Sequence, residues 1–235
     1  NLNIGSKTAV EPTAILSRVV YYYKLLVIIC IPIFIITTAA RIVINASLLY
    51  DYGFEKFHVS QTTSLSNYDL QRVSETFRDY FNSSDESLQV EVTLGGNRVG
   101  LFNEREIMHM KDVKELVQKV YLFQEISLLI ILLYMLLVRW RRELSGKVVL
   151  VWPLLQGGLL TLSFILITAL GVFISFDRLF LLFHLISFSN DMWQLNPMTD
   201  YLIRLFPEGF FLSATLFIAA IAASAALLLS IISAG

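Results

Sequence analysis

The chain has 235 residues, of which 56% are hydrophobic and only 16% charged, and its mean hydropathy is +0.66. Soluble domains carry about 25% charged residues, and a net charge of −1 argues against nucleic-acid binding. An ordinary soluble domain is thereby excluded, and the lone cysteine, Cys30, excludes an intrachain disulfide.

Four nearly uncharged stretches set the layout in chain order: a membrane α-helical fold of four transmembrane helices, with a small α+β extracytoplasmic cap between the first and second. Residues 1–18 are a polar segment expected in the cytoplasm. The first span, 19–40, contains "LLVIICIPIFIITTAA". A mostly polar stretch precedes it and no A-x-A-like site follows, so it reads as an anchor rather than a cleaved signal peptide. Residues 41–119 form the cap, 120–138 the second span, 139–147 a short loop, 148–176 the third span, 177–208 a longer loop and 209–235 the fourth span. A membrane helix needs about 20 apolar residues. The third and fourth spans meet this outright. The first two meet it once Tyr21–Tyr23 and Tyr121 sit at the interface, where aromatics are expected.

The short loop "RWRRELSGK" has four basic residues and one acid, whereas 177–208 has Arg178 and Arg204 against four acids. The positive-inside rule puts the short loop and both termini in the cytoplasm, and the cap and longer loop outside. Lys7, Arg18 and Lys24 agree; Lys111, Lys114 and Lys119, just before the second span, are the opposing signal.

Within the cap, "KFHVS" reads as a short strand. "NYDLQRVSETFRDYF" puts Leu70, Val73, Phe77 and Phe81 at helical spacing, with Asn67 as N-cap. "LQVEVTL" alternates strictly, with Leu88, Val90, Val92 and Leu94 on one face; "GGN" then turns the chain and "RVGLF" returns it as a second strand. Asn103 followed by Glu106 resembles a capping box and starts a helix. At about 100° per residue His109 falls in its apolar half, with Glu106 in the same arc and Arg105 at the border.

A histidine among apolar groups and near a carboxylate can titrate near neutral pH, but it is equally a core residue with a backbone partner. A second histidine shifts the balance. Leu179–Phe188 is apolar all round except for His184 and Ser187, which suits a segment wedged between cap and bilayer rather than a loop in water. Asn190, Asp191, Asn196, Asp200 and Arg204 follow, interleaved with Phe180, Phe183, Phe188, Trp193, Tyr201 and Phe206. His109 and His184 thus belong near one outer surface, and a polar residue beside lipid is a functional-site candidate. No H-E-x-x-H, Cys/His metal spacing or G-x-S-x-G elbow is present, so no metal is expected. His58 reads as structural, and the glycosylation triplets at Asn45 and Asn82 are short enough to arise by chance.

"LFNEREIMHMKDVK" and "FHLISFSNDMWQLNPMTDYLIRLFPEGFF" resemble the two signature regions of a family of small bacterial integral membrane proteins that includes Lit, the lipoprotein intramolecular transacylase of Gram-positive bacteria. The resemblance runs from about Lys24 to Phe211. It implies a four-helix layout with a cap, and a reaction that moves the sn-2 acyl chain of a diacylglyceryl lipoprotein to the α-amino group of its N-terminal cysteine. The expected partners are therefore a diacylated lipoprotein and membrane lipids, with no nucleic acid and no cofactor. By motif position, His109 and His184 are the two catalytic histidines the family uses. Arg105, Asn190 and Arg204 are candidate donors to an oxyanion, Glu106 and Asp191 candidate orienters of an imidazole, and Trp193 part of an aromatic pocket.

One difficulty accompanies this reading. A straight helix would lift His109 roughly 18 Å above Tyr121, so a bend is expected between Lys114 and Glu125. The alternatives are a membrane sensor or accessory protein, in which the histidines lie apart, and another lipid acyltransferase or hydrolase using the same pair.

Overall fold

A computed structural model describes residues 12–140 and 147–234. The chain order is α1 (Pro12–Asn45), α2 (Ser47–Lys56), α3 (Val59–Thr63), α4 (Asn67–Asn82), β1 (Glu91–Leu94), β2 (Asn97–Gly100), α5 (Glu104–Trp140), α6 (Lys147–Ser187), α7 (Tyr201–Leu205) and α8 (Glu208–Ala234). The apolar blocks lie in four helices long and apolar enough to cross a membrane, within α1, α5, α6 and α8. The basic-loop argument rests on residues that include 141–146, and the N-terminal one on residues before 12; these lie outside the described residues.

Two cores are stacked along this bundle. The membrane core gathers Val27, Cys30, Ile31, Ile35 and Ala39 of α1 with Ile131, Tyr134 and Val138 of α5 and Ala222 and Ala226 of α8. The cap core gathers Tyr50 and Phe54 of α2, Val73 and Phe77 of α4, Val92 of β1, Met110, Val117 and Tyr121 of α5, and Phe206 and Phe210 around the α7–α8 junction. Its centre is aromatic: Phe77 and Phe206 lie 4.9 Å apart, and Phe206 and Phe210 5.0 Å. The first turns of α5 thus belong to the cap, and its membrane-crossing part begins after Tyr121.

Close packing of the spans needs small residues, since lipid supplies no hydrophobic drive between helices. Gly157 meets this need on α6: a Cβ there would lie 2.6 Å from Ile31 Cβ, and one on Gly158 would strike the Ser230 hydroxyl of α8. Gly157→Val is expected to weaken the bundle by about 1–3 kcal/mol, the usual range for overpacking, read as a lower unfolding temperature in detergent. An unchanged transition would show that α6 does not sit this close to α1.

The cap sequence is realised with local corrections. Leu70, Val73, Phe77 and Phe81 are all buried on α4. Its N-cap, however, is Ser66, whose hydroxyl accepts from Asp69 N, not Asn67; a hydroxyl one residue earlier satisfies the first free N–H groups. Leu88, Val90 and Val92 face the core as the alternation predicts, and β1 pairs antiparallel with β2 through Gly95 and Gly96, both at positive φ. "KFHVS" is not a strand. Lys56 ends α2, His58 turns the chain at φ 51°, and Val59 opens α3. Five residues with no strand partner have nowhere to place a ladder, so local helical turns win.

The expected bend in α5 is absent. Glu106, His109, Met110, Lys114, Val117, Tyr121, Ser127, Ile131, Tyr134 and Val138 are buried along an unbroken helix. Most of these recur every three or four residues, and half-buried Gln124 closes the gap between Tyr121 and Ser127, so one stripe runs from cap to membrane, with α1 as its main partner. Arg41 of α1 fastens the two helices midway, donating to Gln124 (2.9 Å) and Glu125 (3.2 Å) and lying over the Tyr121 ring. The sharp turn occurs in α6 instead, at Ser175 (φ −168°, ψ 95°). There the Ser175 hydroxyl donates to Asp177, and Leu179 comes back against Gly171, where a Cβ would lie 3.1 Å from it. The apolar segment foreseen as an interfacial loop is therefore a helix up to Ser187, with Leu181, Leu182, Leu185 and Ile186 exposed along it.

Candidate active site

His109 projects from the cap end of α5. Its helix starts as the sequence predicts: Asn103 Oδ1 accepts from Glu106 N (3.1 Å), and Glu106 Oε2 accepts from Asn103 N (2.8 Å). This fixes the helical phase, so His109 turns inward and is only 7% exposed. His184 projects from the segment beyond the Ser175 bend and is 9% exposed. The two ring centroids lie 6.2 Å apart, although 75 residues separate them (184 − 109).

Aromatic rings enclose the pair. Phe180 meets His184 edge to face at 4.5 Å, Phe183 at 5.4 Å, and Trp193 lies over it at 5.0 Å. Phe188 touches both, at 5.1 Å from His109 and 5.6 Å from His184. Phe180, Phe183, Phe188 and Trp193 thus pack around the two imidazoles. Phe206 instead fills the cap core, and Tyr201 stacks beneath Arg204.

The imidazoles are not equivalent. His184 Nδ1 lies 2.7 Å from the Phe180 carbonyl. A carbonyl only accepts, so Nδ1 carries the proton and donates it. Nε2 of the neutral ring is then a bare lone pair. His109 Nδ1 is buried with no hydrogen-bond partner among the described residues. Burial, then the neighbouring His184, push the His109 pKa down to about 4, against a smaller opposing pull from Asp112. His109 is therefore neutral throughout the physiological range.

That shift has a consequence for folding. A histidine with a folded-state pKa near 4 and an ordinary value of 6.5 binds protons preferentially in the unfolded chain between those values. Its contribution is fully present above pH 6.5 and is lost as pH falls toward 4. The stability difference between wild type and His109→Phe should accordingly shrink in wild type's disfavour below pH 6.5, in thermal unfolding across pH. A pH-independent difference would contradict neutral burial.

The other sequence candidates fall into two groups. Trp193 lies against His184, and the two loop residues before Met192 are tied to α5: Arg105 Nη2 donates to the Asp191 carbonyl (2.9 Å), while Asn190 Nδ2 donates to Asp112 (2.8 Å). Glu106 and Arg204 engage other partners. Glu106 Oε1 accepts from Leu202 N (2.6 Å) at the start of α7, and Arg204 donates to the Thr62 carbonyl of α3. Burial pushes the Glu106 carboxyl up, and the Leu202 and Asn103 N–H groups pull it back.

Asp112 and Asp200 have no role assigned to them from the sequence. Asp200 is buried, accepting from Asn103, Thr199 and Asn196 N. Burial raises its pKa, but these hydrogen bonds and the charge of Arg105 outweigh it and hold the carboxyl below its ordinary value. Asp112 stands three residues after His109, a spacing that marks it as a neighbour on the same helix face. Among the described residues no three His, Cys, Asp or Glu side chains gather as a metal-binding group.

Residues 25–211 match the family model for the lipoprotein intramolecular transacylase Lit. The chain belongs to the Lit family. The match spans the cap, both histidines and the first three spans. Solved structures of the membrane-integral Lit from Bacillus cereus share the fold: one has a TM-score of 0.76 and 22% identity, covering 91% of this chain and 93% of that one. A variant of that protein with a histidine replaced by arginine gives 0.75 and 20% identity, over 94% and 93%. An uncharacterized protein of Aquifex aeolicus (strain VF5) is 31% identical over 121 residues, about half of this chain and half of that relative. This member of the Lit family thus has the membrane-integral helical architecture of its solved relatives, with two buried histidines facing each other where its two signature regions meet.

Proposed function

We propose that this protein is an intramolecular transacylase of bacterial lipoproteins. It moves the sn-2 acyl chain of the diacylglyceryl group to the α-amino group of the N-terminal cysteine and leaves a lyso-form lipoprotein. The observation that carries the reading is the 6.2 Å approach of His109 and His184 in a chain of the Lit family. A sensor with no chemistry has no need to bury two imidazoles against each other, where each loses hydration.

The roles follow from the tautomers. An α-amino group titrates at about 7.7–8 and attacks only when neutral. His184 Nε2 accepts a proton from the amine as its nitrogen attacks the sn-2 ester carbonyl carbon. His109, neutral and carrying an N–H, donates a hydrogen bond to the oxygen as it becomes an oxyanion. When the carbon–oxygen bond breaks, the departing glyceryl oxygen takes the proton held by His184. An amide and a free hydroxyl result, and both imidazoles return to their starting states. Because amine and ester belong to one molecule, the barrier is largely that of holding a flexible chain in a ring-like pose. The aromatic walls supply that confinement.

The site belongs to the extracytoplasmic side of the bacterial cytoplasmic membrane in this reading. The acyl chains stay in the outer leaflet, along the exposed apolar face of Leu181, Leu182, Leu185 and Ile186, while the head group enters between cap and bilayer. This replaces the bend in α5 as the means of bringing lipid to His109: the chain that carries His184 supplies the greasy surface.

Incubating the purified protein with a synthetic diacylated lipopeptide tests the proposal. Fragmentation by mass spectrometry should place one acyl chain on the cysteine nitrogen. Release of free fatty acid instead would make the protein a hydrolase, and an unchanged peptide would end the enzymatic reading. Above pH 5 the rate should show no dependence on the protonation of His109. A rate profile that bends near pH 6.5 in wild type and loses the bend in His109→Asn would contradict the neutral-donor role.

A further inference from the structure

α5 and α6 carry the two histidines, yet they are not each other's main partners. α5 packs chiefly on α1, and α6 on α8 and α1. Something other than helix packing must hold the imidazoles in register, because a misplacement of about 1 Å is enough to cost 10²-fold in rate.

Hydrogen bonds on either side of His109 supply such a connection. Asp112 Oδ2 accepts from Asn190 Nδ2 at 2.8 Å, and Asn190 Oδ1 in turn accepts from Met192 N at 2.9 Å. Arg105 Nη2 donates to the Asp191 carbonyl at 2.9 Å. Arg105 and Asp112 lie one turn before His109 and just under one turn after it, so two consecutive residues of the loop are gripped on either side of the histidine. The next residue but one after Asp191 is Trp193, which lies over His184 at 5.0 Å. Phe188, at the start of the same loop, touches both rings.

We propose that Asp112, through Asn190, is a positioning residue that clamps the 188–193 loop to α5 and thereby sets the alignment of His109 and His184. The inference rests on the transacylase reading for its kinetic consequence, but the clamp itself is a structural claim. In the clamp Asp112 acts by accepting a hydrogen bond from Asn190; its charge opposes the lowering of the His109 pKa only weakly beside burial and His184. It touches no reacting atom. Its removal should leave substrate binding in place and spoil the geometry of the chemical step.

Four variants and two readouts test this. Asp112→Ala and Asn190→Ala should each lower kcat by about 10²-fold with little change in KM. The double variant should be no worse than either single one, as expected of partners in one interaction. Asp112→Asn should stay close to wild type, because its amide carbonyl still accepts from Asn190. If Asp112→Asn is as impaired as Asp112→Ala, the charge matters and the clamp is wrong. The second readout needs no activity. Trp140, Trp152 and Trp193 are the three tryptophans, so Trp193 can be followed alone in a Trp140→Phe, Trp152→Phe protein. Its emission should shift to the red and become more accessible to acrylamide in Asp112→Ala, but not in Asp112→Asn. An unshifted emission in Asp112→Ala overturns the clamp even if wild type proves to have no transacylase activity. A shifted emission with inactive wild type keeps the clamp and removes the proposed function.

Discussion

The His184→Ala protein is expected to leave a diacylated lipopeptide with both chains still on the glyceryl group. General base assistance is worth roughly 10²–10⁴ in rate, and in the proposed mechanism His184 Nε2 supplies it. Phe180 fixes that ring from within its own helix, four residues back, by accepting the Nδ1 proton. This orientation can be separated from basicity. In His184→Asn the side-chain amide can still donate to the Phe180 carbonyl, but it presents no base where Nε2 stood. His184→Asn should therefore be as inactive as His184→Ala while unfolding at a temperature closer to wild type. Recovery of more than a tenth of the wild-type rate in either variant, measured by acyl migration in the mass spectrometer, would remove His184 from the mechanism (about 1.4 kcal/mol being all that a tenfold loss represents).

Glu106→Ala should destabilise the cap more than any other single change at the site. Glu106 is 1% exposed and its two oxygens accept from Asn103 N and Leu202 N. Alanine would leave the buried Leu202 N–H without a partner, at a cost of about 1–3 kcal/mol, would remove the part-buried capping bond to Asn103 N, and would open a cavity besides. The loss reaches the histidines indirectly. Asn103, freed from the capping box, also donates to Asp200, which in turn holds Asn196 and Thr199 at the end of the active-site loop. Glu106→Gln is expected to fall between alanine and wild type, because it keeps one acceptor oxygen but sets an NH₂ donor against the other backbone N–H. Thermal unfolding in detergent ranks the three. Equal transitions in wild type and Glu106→Ala would mean that the two N–H groups find water, and that the cap is not closed there. Activity should fall in parallel with stability in this series. In the His184 series it falls without it.

Some of this architecture is written locally and was legible for that reason. Four apolar blocks declare four spans because each residue in lipid must satisfy its own backbone within a helix. The Asn103–Glu106 capping box fixes where α5 starts, and the start fixes the phase that turns His109 inward. The Leu88–Leu94 alternation and the two glycines at positive φ specify the hairpin. The corrections share a cause as well. "KFHVS" has strand-like residues but no neighbouring strand to pair with, and α5 has no breaker and an unbroken buried stripe, so it runs straight on α1.

What the sequence determined by itself is the class of protein, the number of spans and the inward face of His109, since these depend on composition and on periodicity within single segments. Only the tertiary structure decided that His184 meets His109, that Glu106 and Arg204 serve α7 and α3 and not an imidazole, and that Asp112 reaches Asn190. Those pairings join residues tens of positions apart, and no single segment's composition or periodicity encodes them. The end of the third span at Asp177 marks where the chain turns near Ser175, but the direction it takes from there is set by packing, such as that of Leu179 against Gly171, and so is decided only in the folded molecule.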